Sequence, residues 1–371
     1  MVKYFFIDPM SYDNLQEYDI NVLSEFKYDE LYFFGNTKME KKPNVVSKLI
    51  YDYSYRRGLS KILSYIKSQF KLLLEIKKVK PLVVHFQWFK IPFFDYVILK
   101  LIKILSGKSK IVFTAHNILP HNTGDKFFKI FKKIYSYVDK IIVHDFNTKL
   151  EICEKFEINI TNIEVIQHGL INVPRDKEIV KQTIAENKFK DKIVFSFIGN
   201  ISEYKGIDLL YKAWKSTKEI YDNKNIQLII AGRGEEKLID KFKGIDNVLI
   251  INKYLTNDEF ISNIMITDIV LMPYRKISQS GVLLTVLNED KLVIVSDKGG
   301  LTEPFKIANV GWILPELSIK ELSNTILKAS KIEKKTSYIN EEDKIKLQDF
   351  YSWETISKNT KNLYKLMANE K

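Results

Sequence analysis

The sequence predicts an α/β protein of two doubly wound parallel sheets, on three observations. Short runs of consecutive apolar residues, such as PLVVHFQ and DIVLM, recur between longer helical stretches. Such continuous runs suit strands covered on both faces, as parallel sheets are. The pattern stops in a polar stretch, residues 172–191 with Pro174, and then restarts. Finally, 371 residues exceed one ordinary core and fit two domains.

Taken in order, residues 3–8 (KYFFID) read as a strand, 14–26 as a helix and 30–35 as a second strand. A long helical region follows around 48–78. Strands at 81–87, 110–115, 140–144 and 163–166 alternate with helices at 93–105 and 127–138. The second half gives strands at 193–198, 227–231, 248–251, 268–272 and 292–296, with a helix from about Gly206 and a last one over 351–367. The domains are therefore 1–171 and 172–350, followed by a helical tail, 351–371. No tandem repeat or low-complexity tract interrupts them. Right-handed crossovers place ligand sites at the carboxyl ends of such strands.

Composition narrows the class. Hydrophobic residues make up 45% and charged residues 28%, which predicts a folded globular chain. Cys153 is the single cysteine, so no internal disulfide or thiolate metal cluster can form, and a cytoplasmic setting fits. The N-terminus reads as a strand rather than a signal peptide. Lysines interrupt every apolar run that approaches membrane-spanning length, as in YVILKLIKIL.

The net charge of +12 is unevenly placed: residues 56–149 hold 19 Lys or Arg against 5 Asp or Glu. One anionic surface or ligand is implied. In this segment Ile62, Ile66, Phe70, Leu73 and Ile76 fall at helical spacing with lysines between them, as do Phe127, Phe131, Ile134 and Val138. Such stripes suit a sheet-facing core, while the lysines suit water or anionic lipid headgroups. Nucleic acid is disfavoured because no recognised binding module accompanies the charge.

Three segments carry candidate chemistry. In VFSFIGNISEYKGIDLL a strand ends at Gly199 and Asn200, and Lys205 precedes a helix, an arrangement able to hold a diphosphate. In MPYRKISQSGVLL, the small residues Ser278, Ser280 and Gly281 open a helix whose amides can face phosphate or sugar oxygens, with Arg275 upstream. In KIVFTAHNILPHN, His116 and Asn117 lie just past a strand end and His121 follows Pro120, placed to bind an acceptor or move a proton. Each segment has a plainer reading: an ordinary strand–turn–helix, a capped helix and a structural histidine. His85 and His144 also end strands and read as packing or supporting groups. A leaving diphosphate needs its charge neutralised, by a metal on an Asp-x-Asp pair or by cations and amides. No Asp-x-Asp occurs here, so the second route is expected and no metal or other cofactor is implied.

Together the ordered segments VVHFQW, TAHNILPH, DKIIVHDFNTKLEICEKF, VIQHG, FIGNISEYKGIDLL, LIIAGRG, TDIVLMPYR, SQSGV and SDKGGLTE, with the tail YSWETI, resemble the family-4 retaining glycosyltransferases of the GT-B fold. The resemblance implies two Rossmann-like domains facing a cleft. The N-terminal domain would bind acceptor and the C-terminal domain a nucleotide-sugar, with the last helix crossing back to the first domain. It implies transfer with retention of anomeric configuration. His116 matches the histidine near the reacting sugar, Lys205 the diphosphate lysine, and Gly281, Val282 and Leu283 the phosphate loop. With Gly199, Asn200, Arg275, Ser278, Gln279 and Ser280, Arg233 and Tyr254 complete the expected donor set. His116, Asn117 and His121 form the acceptor set.

The SQSG form is similar to a sub-branch among exopolysaccharide and O-antigen enzymes. It implies a polyprenyl-diphosphate-linked saccharide or similar acceptor at the inner face of the cell membrane. Three departures stand out. DPMSYDN replaces the family's Gly-Gly loop, Asn200 replaces an arginine, and Ser278 and Val286 replace a Glu-x7-Glu pair whose second member grips ribose. Gln279, Asn288 and Glu289 are the nearby polar candidates to replace it. A GT-B-shaped binding or partner subunit without activity is the alternative. A sugar-nucleotide epimerase shares the shape. A nicotinamide dehydrogenase is disfavoured because residues 8–14 hold no glycine after the first strand.

Overall fold

A computed structural model describes residues 3–120, 125–335 and 337–369. The chain divides into two compact units, Met1–His168 with Tyr351–Lys371, and Gly169–Phe350. Each is built on one parallel sheet.

In the first unit the strands are β1 (Tyr4–Ile7), β2 (Leu31–Asn36), β3 (Val46–Tyr51), β4 (Val83–Phe86), β5 (Lys110–Thr114), β6 (Lys140–Val143) and β7 (Ile163–Val165), in the order β3-β2-β1-β4-β5-β6-β7. Side chains alternate across it, as the pleat requires. Phe5 and Ile7 join one core with Leu72, Ile76, Leu99, Ile102 and Ile134 from the helices Gly58–Val79, Pro92–Ser106 and Phe128–Tyr137. Tyr4 and Phe6 join the opposite core with Val22 from the helix Gln16–Val22 and Ile356, Leu363, Tyr364 and Met367 from the helix Trp353–Asn369. The strand order reverses between β1 and β4, so the loops after those two strands flank a crevice at the carboxyl edge.

The second unit holds β8 (Ile193–Ile198), β9 (Ile226–Ala231), β10 (Val248–Ile251), β11 (Ile269–Met272), β12 (Leu292–Ser296) and β13 (Gly311–Leu314), in the order β10-β9-β8-β11-β12-β13. Every residue of β8, β9, β11 and β12 is buried. Its order reverses between β8 and β11.

Several elements differ from the sequence reading. Residues 46–51 form the edge strand β3 rather than the start of a helix. Lys48 in it pairs with Glu75 on the helix that follows, and a charged edge discourages pairing with another chain. The polar stretch 172–191 contains a helix, Lys177–Ala185, capped by the Asp176 carboxylate and burying only Val180. In the helix Gly58–Val79 the buried stripe is Tyr65, Ser68, Gln69, Leu72, Leu73 and Ile76. Ile62 and Phe70, expected to face the core, point outward. The short strand β13, GWIL, has too brief a pattern to read beforehand. No helix among the described residues is long and apolar enough to cross a membrane.

Candidate functional site

In the second unit three segments meet beside the switch point. Gly199 directly follows β8 with φ at 104°, a backbone conformation that L side chains rarely adopt. A side chain there would also meet a Val282 methyl at 3.2 Å and the Lys205 ammonium at 3.7 Å. Strand end, lysine and helix start thus converge on one point. Lys205 is held there by the turn Glu203–Lys205 and by Gly206, whose φ of 78° starts the helix Ile207–Ser216 against the Pro273 carbonyl.

Lys205 is only 7% exposed, and its Nζ lies 5.2 Å from the centre of the Tyr274 ring. Among the described residues no carboxylate pairs with it. Burial pulls its ammonium down to about 8, because removing a cation from water disfavours the charged form. A buried cation without a counter-charge is poised to take an anion.

Ser280 caps the helix Gly281–Asn288 by accepting from the Leu283 amide at 3.3 Å. The Leu283 side chain is core, and this cap occupies its amide. The amides of Gly281 and Val282 have no acceptor within the helix. The Gln279 side-chain oxygen accepts from the Ser280 amide at 3.2 Å, and the Ser278 carbonyl accepts from the Gly300 amide at 2.8 Å, bracing the loop.

The other expected donor groups are placed differently. Arg275 is committed to Asp208 through two bonds of 2.7 Å and also donates to the Glu203 carbonyl. Its charge is therefore already matched. Arg233 lies over the exposed Tyr254 ring at 4.6 Å, and Asn200 is exposed. Val286 is fully buried. Of the polar candidates to replace the missing glutamate, Glu289 is buried and bound by Arg175, and Asn288 donates to it at 3.3 Å.

In the first unit His116, just past β5, is half-buried between the Trp88 ring, stacked at 4.5 Å, and the Tyr18 ring, edge-on at 5.2 Å. Its Nδ1 is 3.1 Å from His144 Nε2, and its Nε2 is 2.9 Å from the Gln87 amide. His144 Nδ1 lies 2.9 Å from the Ile166 carbonyl, which can only accept. His144 therefore carries its proton on Nδ1 and presents its Nε2 to His116 Nδ1, while His116 Nε2 faces the Gln87 side-chain oxygen. The Gln87 amide continues to His85 at 3.0 Å, and His85 reaches Tyr364 on the terminal helix. Burial, with help from neighbouring histidines, drives His85 and His144 down to about 3 and His116 well below its ordinary value. All three are neutral at pH 7. His144 and His85 support His116, while Asn117 is partly exposed beside it and His121 lies outside the described residues.

Tyr274, Gln87 and Tyr18 were not among the expected site residues. Gln87 was findable, because it follows His85 by two positions at the strand end and so shares its face. Tyr18 and Tyr274 meet their partners only through tertiary packing.

Residues 179–345 match the family model described as glycosyl transferases group 1. That match lies within the second unit, Gly169–Phe350. The chain is 24% identical to an uncharacterized glycosyltransferase of Methanocaldococcus jannaschii over 64% of this chain and 61% of the relative. It is 28% identical to a lipopolysaccharide 1,2-N-acetylglucosaminetransferase of Salmonella typhimurium over 50% of each. The chain thus spans about half to three-fifths of the length of these curated relatives. Among solved structures, Anabaena HepE in complex with UDP-glucose superposes with a TM-score of 0.70 at 11% identity, over 99% of this chain and 100% of that one. The lipopolysaccharide outer core galactosyltransferase WaaB gives 0.66 at 16% identity over 98% of each. Each of the two units is a Rossmann-like domain, as in these structures of the GT-B fold.

Proposed function

We propose that this protein is a glycosyltransferase that moves a sugar from a nucleotide-sugar to an acceptor, with retention and without a catalytic metal. The observation that carries this reading is the buried, unpaired Lys205 ammonium set against Gly199 and the start of the Gly281–Asn288 helix. A leaving diphosphate placed there meets one full positive charge and two helix-start amides, in a region already stripped of water. Lys205, Gly199, Gly281 and Val282 hold the diphosphate, and Gln279 and Ser278 border the sugar. His116, neutral at pH 7, orients the reacting sugar or acceptor in the first unit. Similarity to proteins named for lipopolysaccharide assembly supports a lipid-linked or polysaccharide acceptor in bacterial surface polysaccharide synthesis.

The protein acts at the inner face of the cell membrane, docked through the first unit. There Leu59, Leu63, Phe70, Leu74, Phe93 and Ile104 are exposed on two adjacent helices. Beside them a groove is rimmed by Lys129, Lys132 and Lys133. Exposed apolar side chains interleaved with lysines suit an anionic headgroup layer.

A thermal-shift panel of nucleotide-sugars tests the donor site. The correct donor at about 100 times its Kd stabilises by about 2.7 kcal/mol, roughly 5–10 °C for a unit of this size. No shift with any nucleotide-sugar defeats the reading. A second reading, a binding subunit that no longer transfers, is favoured by the buried Val286 and by Glu289 being committed to Arg175. A donor shift without product in the presence of lipid-linked saccharides would select it.

A further inference from the structure

The first unit contains a cavity of about 340 Å³ that none of the groups above uses, lined by Met10, Tyr12, Tyr53, Lys61, Tyr65 and Lys90, with Ile62 and Ile91. Its volume falls within the range of about 300–1,000 Å³ typical of small-molecule sites. Met10 and Tyr12 follow β1 and Lys90 follows β4, so the cavity opens at the point where strand order reverses. That is where open α/β sheets take their ligands. The loop after β1 is fixed rather than loose. The Asp8 carboxylate accepts from the Met10 amide, Ser11 Oγ donates to the Asp8 carbonyl at 2.9 Å, and the Asn36 and Tyr53 side chains both donate to the Pro9 carbonyl.

Lys61 stands exposed at the mouth and Lys90 in the wall, each near an aromatic face, Tyr53 at 5.7 Å and Trp88 at 5.7 Å. Among the described residues neither ammonium has an ion-pair partner. The two cations also repel each other across the cavity. The carboxyls nearest Lys90 are Asp8 and Asp95. Asp95 already accepts from Tyr65 and the Ile91 amide, and burial raises both carboxyls to about 7, so neither fully matches the ammonium at neutral pH. Two cations facing one walled space, with phenol rings around them, are chemically suited to a phosphoryl group carrying a sugar or apolar chain.

We propose that this cavity is a phosphoryl subsite, in which Lys61 and Lys90 hold the phosphate or diphosphate of the acceptor. It rests on the glycosyltransferase reading and adds where the acceptor's charge is anchored. The test is equilibrium dialysis of the full chain against radiolabelled inorganic pyrophosphate at low salt, comparing Lys61→Met, Lys61→Arg, Lys90→Met and Lys205→Met.

The expected result is two classes of site. Lys61→Met and Lys90→Met each weaken one class tenfold or more, Lys61→Arg retains it, and Lys205→Met affects only the other. Lys61 is exposed, so its substitution leaves the fold intact and the result interpretable. Isotherms for Lys61→Met and Lys90→Met that overlay the wild type overturn the proposal. Displacement of the Lys61-dependent class by farnesyl diphosphate below the concentration needed for glucose 1-phosphate identifies a lipid-linked source. The reverse order identifies a soluble phosphosugar, and displacement by neither overturns the proposal. The nucleotide-sugar thermal shift depends on Lys205 and the second-unit groups around it, not on Lys61 or Lys90, so it persists if this subsite fails and disappears if the donor reading fails.

Discussion

Replacing Lys205 by methionine separates function from stability in opposite directions. Two unit charges about 4 Å apart at an effective dielectric near 20 attract by about 4 kcal/mol. Loss of this buried cation from the proposed diphosphate site should therefore remove about 2–4 kcal/mol of transition-state stabilisation, roughly 30- to 1,000-fold in kcat/KM. Folding should not suffer. The ammonium titrates at about 8 in the folded chain against an ordinary 10.5, which corresponds to a folding penalty of about 3 kcal/mol at pH 7.

Because the folded value is the lower one, the unfolded chain binds more protons between about pH 8 and 10.5. Wild-type stability should therefore rise with pH through that window, with the whole penalty present below it. The variant lacks the penalty, so its Tm at pH 7 should equal or exceed the wild type, and the gap should close towards pH 10.5. Wild-type kcat/KM should fall as pH passes about 8, where the free enzyme loses this charge. The assay is radiolabelled sugar transfer from the donor found by thermal shift, alongside calorimetry from pH 7 to 10.5. A variant with kcat/KM within threefold of wild type refutes the assignment of the diphosphate to Lys205.

Other perturbations test neighbouring parts. His116→Ala should lower kcat at least tenfold while leaving the donor thermal shift unchanged, because the proposed diphosphate groups lie in the other unit; unchanged turnover would make this histidine a packing residue. Gly206→Ala should cost about 2–4 kcal/mol in urea unfolding, since it combines a positive φ with a side chain driven into the Pro273 carbonyl; a midpoint equal to wild type would contradict that contact. Neutralising Lys126, Lys129, Lys132 and Lys133 to Gln should weaken sedimentation with phosphatidylserine vesicles most strongly at low salt; equal sedimentation would mean that face is merely solvated.

The sheets were legible because buried parallel strands write themselves as unbroken apolar runs: β4, β5, β8, β11 and β12 all fall within segments read from that pattern. The misreadings share a cause. β3 carries Lys48 at its centre and the helix Lys177–Ala185 buries one residue, so neither has a strong apolar signal. In the helix Gly58–Val79 the inward face also uses Tyr65, Ser68 and Gln69, whose donors bond to Asp95, to the main-chain oxygens of Ile50 and Ser64, and to the Tyr65 hydroxyl. Apolar periodicity therefore placed Leu73 and Ile76 correctly but misplaced Ile62 and Phe70. At the site, the position of Lys205 followed from strand–glycine–lysine–glycine order. The occupation of Arg275 by Asp208 did not, because the pair is 67 residues apart in sequence.

The order of synthesis gives the terminal helix a further significance. Residues 169–350 form a unit from one continuous piece of chain, whereas the other unit closes its second face only with Ile356, Leu363, Tyr364 and Met367. At translation rates of about 5–20 residues per second, roughly 10–40 s separate the emergence of the first sheet from that of its cover. During that interval Tyr4 and Phe6, packed against Val22 and Phe26, still lack the cover of Ile356, Leu363, Tyr364 and Met367. The nascent chain should therefore be a client of holding chaperones at least until the helix Trp353–Asn369 has emerged.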